Sequence, residues 1–300
     1  MKKYDLVILT DDRFVAYSKD SLYTQNVLTE DRIVREELER LGIKVEGKSW
    51  SDPYFDWSKT KYIVFKTTWD YFDRYPEFLR WLDKVCKQTQ LMNSEKMIRW
   101  NIDKHYFLDL KKAGIHFCET HFIEKGSKLS LSEFLDKHPM EKFVVKPCVS
   151  SGAFHTYKVA RKEIKQYQAL FQQLLSEQSV ILQPFQDNIV NRGEVSLVVI
   201  NGVYTHAILK KAKEGDFRVQ DDYGGTVQNY IPSSEEIAYA EKVVKYCPEM
   251  PIYARVDVFL DNQNKLALAE LELIEPELWF RNYPKAADQL AQAIQRLIKS

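Results

Sequence analysis

Acidic side chains in the stretch ARVDVFLDNQNKLALAELELIEPE, residues 254–277, are spaced so that they can meet on one surface. The stretch is typical of two β-strands joined by a turn. Side chains alternate between the faces of a strand, so Arg255 shares a face with Asp257, and Glu270 shares one with Glu272. A turn at the central Gln-Asn pair would place Asp257 opposite Glu270. The same turn would place Arg255 opposite Glu272, with Cβ atoms of opposed residues about 4.5–5.5 Å apart.

This arrangement predicts a metal site. Carboxylates that lie so close together repel one another. A hard divalent cation such as Mg²⁺ or Mn²⁺ removes the repulsion and prefers carboxylate oxygens. We therefore expect Asp257, Glu270 and Glu272 to be metal ligands. The alternative is that these acids form the solvated face of an edge hairpin, and spacing alone does not separate the two interpretations.

Basic residues elsewhere are candidates for binding phosphate. Lys146 ends the apolar run KFVVK and precedes CVSSGAFHT, a Ser/Gly loop whose backbone N–H groups could surround phosphate oxygens. Lys104 opens a predicted helix, where the helix dipole disfavours a cation, so a ligand could explain its position. Arg218 lies in the polar segment GDFRVQDDYGG, residues 215–225, whose glycines at both ends favour a mobile flap. The alternatives are that Lys146 is a strand-end lysine whose ammonium group extends to solvent, that Lys104 is a surface lysine, and that the Arg218 segment is a surface loop.

Several well-known site patterns are missing from the sequence. The sequence contains no GxGxxG after the first strand, no GxxxxGK[ST] and no GxSxG, which disfavours a dinucleotide fold, a P-loop and a serine hydrolase. The six histidines form no HxxxH or HExxH pattern, which disfavours a histidine zinc site. Cys86, Cys118, Cys148 and Cys247 form no CxxC pair, which favours reduced cysteines in a cytoplasmic protein.

Composition excludes some classes of partner. The 300 residues include 43 Lys+Arg and 43 Asp+Glu, a net charge of zero, which gives no support to nucleic-acid or membrane-surface binding. No apolar run approaches the roughly 18 residues that a bilayer requires. The N-terminal sequence lacks the apolar core and cleavage site of a signal peptide. We expect a cytoplasmic protein of two or three packed units.

The periodicity of apolar residues predicts the elements that position these groups. Strands and helices alternate over residues 1–90, as in an open α/β unit, and antiparallel hairpins dominate the second half. Predicted strands are 5–10, from 43, 61–65, 143–145, 180–182, 194–200 and 203–209. Predicted helices are 31–41, 76–85, 94–100, 104–113, 160–175 and 285–300. Asn201-Gly202 is a strong hairpin signal, Asp103 a candidate helix cap, and Gly42 and Gly114 candidate helix ends.

Seven parts in this order resemble the ATP-grasp superfamily: Lys104, Lys146 with its Ser/Gly loop, ILQPF, RGEVSLVVING, GDFRVQ, ARVDVF and ELELIEP. The sequence resembles glutathione-synthetase-like and RimK-like carboxylate–amine ligases. TTWDY, GDFRVQDDYGG and ELELIEP are most similar to the cycloserine-biosynthesis type. The resemblance implies an α/β and α+β ATP-grasp fold. Its expected parts are an N-terminal α/β pre-grasp domain (1–92), linker helices with a small lid subdomain (93–185) and a C-terminal subdomain with the metal hairpin (186–300).

The resemblance also implies roles for individual residues. ATP and two Mg²⁺ or Mn²⁺ ions are expected, and Arg218 and Arg255 would stabilise phosphoryl and tetrahedral charge. The commoner third metal ligand is Asn, so Glu272 makes this site more negative. The expected nucleotide contacts are Lys104, Lys146, Ser151 and Gly152 for phosphates, Gln183, Pro184 and Phe185 for adenine, and Glu194 for ribose.

The implied reaction is ATP-dependent ligation of a small amino-acid-like carboxylate to an amine or other nucleophile, through an acyl phosphate. Thr68, Trp69 and Asp70 follow a predicted strand of the α/β unit, where such sheets bind ligands, and are candidate substrate contacts. The alternative is that Trp69 packs against the neighbouring domain and Asp70 caps a turn. Other interpretations are a nucleotide-binding scaffold without ligase chemistry and a small-molecule kinase. A homodimer is compatible with the resemblance.

Overall fold

Three β-sheets follow one another along the chain in the computed structural model, which describes residues 2–15, 21–220 and 223–299. The first sheet is parallel, and the other two are antiparallel. The predicted change from an α/β unit to antiparallel hairpins is therefore confirmed. Within the described residues, every helix is too short or too polar to cross a membrane.

The parallel sheet has the order β2-β1-β3-β4. Its strands are β1 (Tyr4–Thr10), β2 (Val45–Ser49), β3 (Thr60–Thr67) and β4 (Gln90–Met92), with helices α1 (Leu22–Arg40) and α2 (Tyr75–Val85). The prediction for α1 was wrong at its start, because the Ser21 side chain accepts a hydrogen bond from the Thr24 N–H and begins the helix there. The predicted second strand begins at Val45, two residues later than expected.

Helices α3 (Glu95–Asn101) and α4 (Tyr106–Lys112) lead into the small antiparallel sheet. The prediction that Lys104 opens a helix was wrong, because α4 begins two residues later, at Tyr106. The prediction that Asp103 caps this helix was also wrong, because His105 occupies the N-cap position. The small sheet has the order β5-β8-β6-β7. It contains β5 (His121–Ile123), β6 (Lys142–Pro147), β7 (Tyr157–Ala160) and β8 (Val180–Pro184), packed on α5 (Leu131–Lys137) and α6 (Ile164–Glu177).

The large antiparallel sheet has the order β11-β10-β9-β12-β13. Its strands are β9 (Glu194–Ile200), β10 (Val203–Lys211), β11 (Thr226–Tyr230), β12 (Tyr253–Leu260) and β13 (Leu266–Glu272), with helices α7 (Asp187–Arg192) and α8 (Ser234–Lys245). The predicted Asn201-Gly202 turn is confirmed, and both residues have positive φ, 48° and 81°.

The C-terminal helix α9 (Lys285–Lys299) returns to the beginning of the chain. Its buried residues Leu290 and Ile294 belong to one apolar cluster with Val34 and Leu38 of α1. That cluster also includes side chains of the parallel sheet and of the large sheet. The predicted division at residues 92 and 185 stays a prediction, but the last helix is shared between the first and third sheets.

Two buried asparagines hold the parallel sheet and the linker helices against the strands of the carboxylate hairpin. Asn93 Nδ2 donates to the carbonyl oxygens of Tyr253 (3.0 Å) and Leu273 (2.9 Å), and its Oδ1 accepts from the Ile252 N–H (2.7 Å). Asn101 likewise bonds the backbone of β13 and of the residue that follows it. Since these backbone groups are buried, the two amides fix the position of the hairpin.

We expect Asn93→Ala to lower the free energy of unfolding by about 3 kcal/mol or more. The substitution leaves three buried backbone groups without partners, and each costs about 1–3 kcal/mol. Urea denaturation followed by tryptophan fluorescence measures the change. Asn229→Ala, at an exposed position of β11, is the matched control and should stay within about 0.5 kcal/mol of the wild type. Equal, small changes in both variants would contradict the assignment.

Candidate active site

The predicted pairing of the carboxylate hairpin is confirmed. Asp257 pairs with Glu270, and Arg255 pairs with Glu272. Asp257 is almost completely buried, and the carboxylates of Glu270 and Glu272 line a cavity of about 450 Å³ together with it. The three acids therefore line one cavity, with the side chains of Asp257, Glu272 and Glu270 2%, 13% and 32% exposed, which disfavours the interpretation as a solvated edge of the sheet.

The turn that produces this pairing differs from the prediction. The Asp261 N–H donates to the Lys265 carbonyl oxygen and closes a three-residue loop, in which Asn264 has a φ of 61°. The register then shifts between Asp257 and Val258, because Ala269 is an extra residue in β13. This β-bulge compensates for the different turn and restores the predicted pairs beside the cavity.

Buried cations bind each carboxylate. Arg255 forms a salt bridge with Asp257 at 2.9 Å (Nη2 to Oδ2) and a second one with Glu272. Lys104 Nζ lies 3.0 Å from Glu270 Oε1. The three acids thus contact cations from two different parts of the chain, which fixes where each side chain lies.

Lys210 is a further cation that the sequence analysis missed. Its Nζ lies 2.6 Å from Glu194 Oε1 and 3.1 Å from Asp257 Oδ2, and it is 3% exposed. It therefore joins the expected ribose contact to the expected metal ligand. In the sequence it appears only as the first lysine of LKK at the end of an apolar strand, a pattern that gives no sign of a site.

The pKa values of the carboxyl groups around the cavity reflect both their burial and the charges near them. Burial opposes ionisation of Asp257, but Arg255 and Lys210 outweigh it and hold the pKa of this acid below its usual range. Burial, reinforced by Asp257 and Glu270, raises the pKa of Glu272 well above its usual range. Burial also raises the pKa of Glu275 to about 7. The carboxylates therefore exceed what the local cations can stabilise.

The two predicted phosphate-binding lysines both line the cavity. Lys104 is buried and Nζ donates to the Ser150 carbonyl oxygen at 2.6 Å. Burial opposes its charge, but Glu270 outweighs that effect and raises the pKa of Lys104. Lys146 is half-buried and has no salt bridge within 4.0 Å to any described residue, and burial lowers its pKa. Its ammonium group is therefore available to an anionic ligand.

The Ser/Gly loop and the ILQPF segment border the same cavity. Ser151 and Gly152 both line it, and Gly152 has a φ of 57°. Gln183, Pro184 and Phe185 also line it. Gln183 Nε2 donates to Thr120 Oγ1 at 2.7 Å. The parts predicted to contact adenine, ribose and phosphates are thus neighbours in space.

The loop that contains Arg218 also borders the cavity. Arg218 Nη2 lies 2.7 Å from Asp216 Oδ2, and its guanidinium lies 3.8 Å from the ring centroid of Tyr223. Arg218 lines the cavity together with Phe217 and Val219. Residues 221 and 222 of the predicted flap lie outside the described residues, and its mobility stays a prediction.

Of the three candidate substrate contacts, Trp69 lines the cavity, and Thr68 and Asp70 are not among its lining residues. Trp69 Nε1 donates to the Glu275 carbonyl oxygen at 2.9 Å, a contact with the C-terminal part of the chain. Asp70 accepts hydrogen bonds from Trp50 Nε1 (2.6 Å) and Arg74 Nη1 (2.9 Å), and Thr68 is buried. The bond from Trp69 to Glu275 agrees with the alternative that Trp69 packs against the neighbouring domain, and the role of Asp70 stays a prediction.

The end of the cavity near Trp69 contains aromatic and acidic groups that the sequence analysis did not assign. Phe14 packs against Trp69 edge-on at 5.5 Å between ring centroids, and Phe72 packs against Phe154 at 5.0 Å. Glu275, whose carbonyl oxygen accepts the hydrogen bond from Trp69, and Glu277 also line the cavity. Because the two acids follow the hairpin directly in the segment LIEPE, the sequence could have indicated that they lie near the metal ligands. The aromatic residues come from distant segments, and no pattern in the sequence indicates that they meet.

The predicted metal ligands fit a hard divalent cation in chemistry. Asp257, Glu270 and Glu272 offer only carboxylate oxygens, which Mg²⁺ and Mn²⁺ prefer. The excess of buried carboxylates over cations favours a bound positive charge. The three acids are not among the described groups whose ligand atoms all lie within 4.8 Å of one another, and each acid contacts a lysine or an arginine. Their role as ligands stays a prediction.

The parallel first sheet, the small sheet and the carboxylate-bearing large sheet around one cavity define an ATP-grasp ligase fold. Comparison with family models agrees: residues 101–274 match the RimK-like ATP-grasp domain, and residues 6–93 match the N-terminal domain of D-cycloserine synthetase DcsG. The chain belongs to the RimK-like ATP-grasp family and is an ATP-dependent ligase. The predicted superfamily, fold class and enzyme class are confirmed.

Particular relatives cover nearly the whole chain. The cycloserine biosynthesis protein DcsG of Streptomyces lavendulae is 29% identical over 282 residues, 86% of this chain and 90% of that protein. The crystal structure of D-cycloserine synthetase DcsG superposes with a TM-score of 0.86 at 27% identity, over 98% and 99% of the two chains. A D-alanine–D-alanine ligase from Bacillus anthracis complexed with ATP shares the fold, with a TM-score of 0.64, 13% identity and 99% of each chain covered.

We expect Lys210→Met to lower the free energy of unfolding by about 3 kcal/mol or more, because it leaves Glu194 and Asp257 buried with one cation fewer. Methionine keeps most of the volume, so the change reports the lost charge. Denaturant unfolding measures it. Lys211→Met, the exposed neighbour on β10, is the control. A Lys210→Met variant as stable as this control would show that Lys210 does not hold the two acids.

Proposed function

We propose that this protein is an ATP-dependent carboxylate–amine ligase that forms an acyl phosphate on a small amino-acid-like substrate and releases ADP and phosphate. The observation that carries the proposal is the single cavity in which Lys104, Lys146 and Arg255 face the carboxylates of the hairpin. Phosphoryl transfer depends mainly on position and on compensation of charge, and this wall supplies both.

The nucleotide is proposed to lie between the small sheet and the large sheet. Lys104, Lys146, Ser151 and Gly152 would bind its phosphates, the segment 183–185 its adenine, and Glu194 its ribose. Support comes from their common position along the cavity wall. Lys146 contributes most to this argument, since it is a partly buried cation without a salt bridge to any described residue.

Asp257, Glu270 and Glu272 are proposed to hold Mg²⁺ or Mn²⁺, with two ions expected. The metal would supply positive charge to the phosphates of ATP. Arg255 lies between Asp257 and Glu272 and would stabilise charge on the transferred phosphoryl group and on the later oxyanion. Arg218 would approach the same groups from its loop.

The proposed reaction has two steps. A carboxylate oxygen of the substrate attacks the γ-phosphorus of ATP, the bond from that phosphorus to the β,γ-bridging oxygen breaks, and ADP leaves. An amine nitrogen then attacks the carbonyl carbon of the acyl phosphate. The tetrahedral intermediate expels inorganic phosphate, and the nitrogen loses a proton. Exclusion of water by the surrounding walls protects the acyl phosphate from hydrolysis.

The substrate is proposed to occupy the end of the cavity near Trp69. The carboxyl groups of Glu275 and of Glu277, which forms a salt bridge with Arg281, line the cavity, and Phe14, Tyr23 and Trp69 supply aromatic surface. Carboxyl oxygens and aromatic faces together suit a cationic amino group. One relative is described as a D-cycloserine synthetase. By this likeness, closure of a ring within one amino-acid-like molecule is the second candidate, beside ligation of two molecules.

ADP release measured against a panel of amino acids and dipeptides, with mass spectrometry of the products, tests the proposal. A ligase releases ADP and yields an amide, whether between molecules or within one. A small-molecule kinase on this fold yields a stable phosphorylated product. A nucleotide-binding scaffold binds ATP and releases no ADP with any substrate, and that result would overturn the proposal.

We expect Asp257→Asn and Glu270→Gln each to lower ADP release by at least about 10²–10³-fold, because each removes a charged ligand from the proposed metal site. Circular dichroism and thermal unfolding confirm that the variants are folded. Glu270 is the more exposed of the two, so Glu270→Gln is the safer variant. Glu249→Gln, on the surface, serves as the control. Near wild-type turnover in either site variant would refute the metal assignment.

A further inference from the structure

Three metal-binding side chains meet at the edge of the small sheet, away from the carboxylate hairpin. They are Glu119, His121 and His138, and one ligand atom from each lies within 4.8 Å of the other two. His121 Nε2 lies 2.8 Å from Glu119 Oε1, and the two imidazole rings are 4.1 Å apart between centroids. We call these three residues the edge triad.

Apolar packing brings the two imidazoles together. His121 begins β5, and His138 follows the last residue of α5. Phe134 of α5 is 2% exposed and packs against both rings, at 5.2 Å from His121 and 5.0 Å from His138 between centroids. The positions of the rings therefore depend on the core of the small sheet and not on hydrogen bonds between them.

The ring nitrogens are available for a ligand. The imidazole of His138 forms no hydrogen bond or salt bridge with any described residue, and the imidazole of His121 uses only Nε2, toward Glu119. The Glu119 side chain is 62% exposed and that of His121 is 18% exposed. An ion bound here would contact solvent, which could supply a fourth ligand.

A second group, formed by Asp103, His105 and Cys148, is less suitable. Both ring nitrogens of His105 already have partners, Asp103 at 2.5 Å and Glu124 at 3.3 Å. Cys148 is buried, and burial raises the pKa of its thiol far above the usual range, which disfavours the thiolate that a metal binds. The edge triad is free of both obstacles.

We propose that the edge triad binds Zn²⁺. Two imidazoles and one carboxylate form a ligand set that zinc uses, and imidazole selects zinc over Mg²⁺. The site is separate from the all-carboxylate hairpin. Zinc there connects β5 to the end of α5. Thr120, between two of the ligands, accepts the hydrogen bond from Gln183, so the ion also steadies a residue that supports the cavity wall.

The test is equilibrium dialysis of chelator-stripped protein against micromolar Zn²⁺ with millimolar Mg²⁺ present, followed by measurement of bound zinc. Wild-type protein is expected to bind one zinc per chain. Removal of a residue that supports a metal ligand typically lowers metal affinity by roughly 10–100-fold, and removal of the ligand itself should cost at least as much. We therefore expect His138→Ala and His121→Ala each to weaken zinc binding by about tenfold or more. His105→Ala, in the second group, should bind like the wild type.

Co²⁺ substitution adds a spectroscopic readout, because thiolate ligation produces an intense near-ultraviolet charge-transfer band and histidine–carboxylate ligation does not. The cobalt spectrum of the wild type is expected to lack that band. The proposal is overturned if the wild type binds no zinc, if His138→Ala binds as tightly as the wild type, or if His105→Ala abolishes binding. A strong thiolate band would assign the metal to cysteine and overturn it equally.

Discussion

Burial of many ionisable groups around one cavity is the constraint on which the rest of this structure depends. The acids are Glu194, Asp257, Glu270, Glu272 and Glu275, and the cations are Lys104, Lys146, Lys210 and Arg255. Burial raises the pKa of three of these acids, Glu194, Glu272 and Glu275, and neighbouring carboxylates add to each shift, so the cavity attracts additional positive charge. A polyphosphate is a suitable ligand when positive charge accompanies it, and the ammonium group of Lys146, which forms no salt bridge with the described part of the chain, contributes to that balance.

The charged groups around the cavity must be held in fixed positions, and Asn93, Asn101 and Lys104 contribute to this. The hairpin strands are fixed by the buried amides of Asn93 and Asn101, which bond backbone groups of the large sheet. Lys104 reaches the wall from the turn before α4, so the linker helices and the sheet share one ionic contact. The position of each charged group therefore depends on elements far apart in sequence, and the cavity exists only in the complete fold.

The sequence permitted accurate inference where a local rule operates. Alternation of side chains on strands, together with Asn201-Gly202, led to the hairpins and to the pairs Asp257–Glu270 and Arg255–Glu272. It did not lead to the bulge at Ala269, since that extra residue depends on the turn actually formed. Lys210 and the aromatic end of the cavity were also missed, because only the tertiary fold brings them to the site.

The same limit applies to the proposed zinc site, since short sequence spacings do not indicate that Phe134 brings His121 of β5 next to His138 at the end of α5.

The shared position of α9 has a consequence for synthesis of the chain. Helix α1 emerges from the ribosome long before α9, and until then Val34 and Leu38 lack the surface that covers them in the finished protein. Many multidomain chains fold one unit at a time as they are made. Here the first unit must remain incomplete until the last helix arrives, so its exposed apolar side is a natural binding place for chaperones during translation.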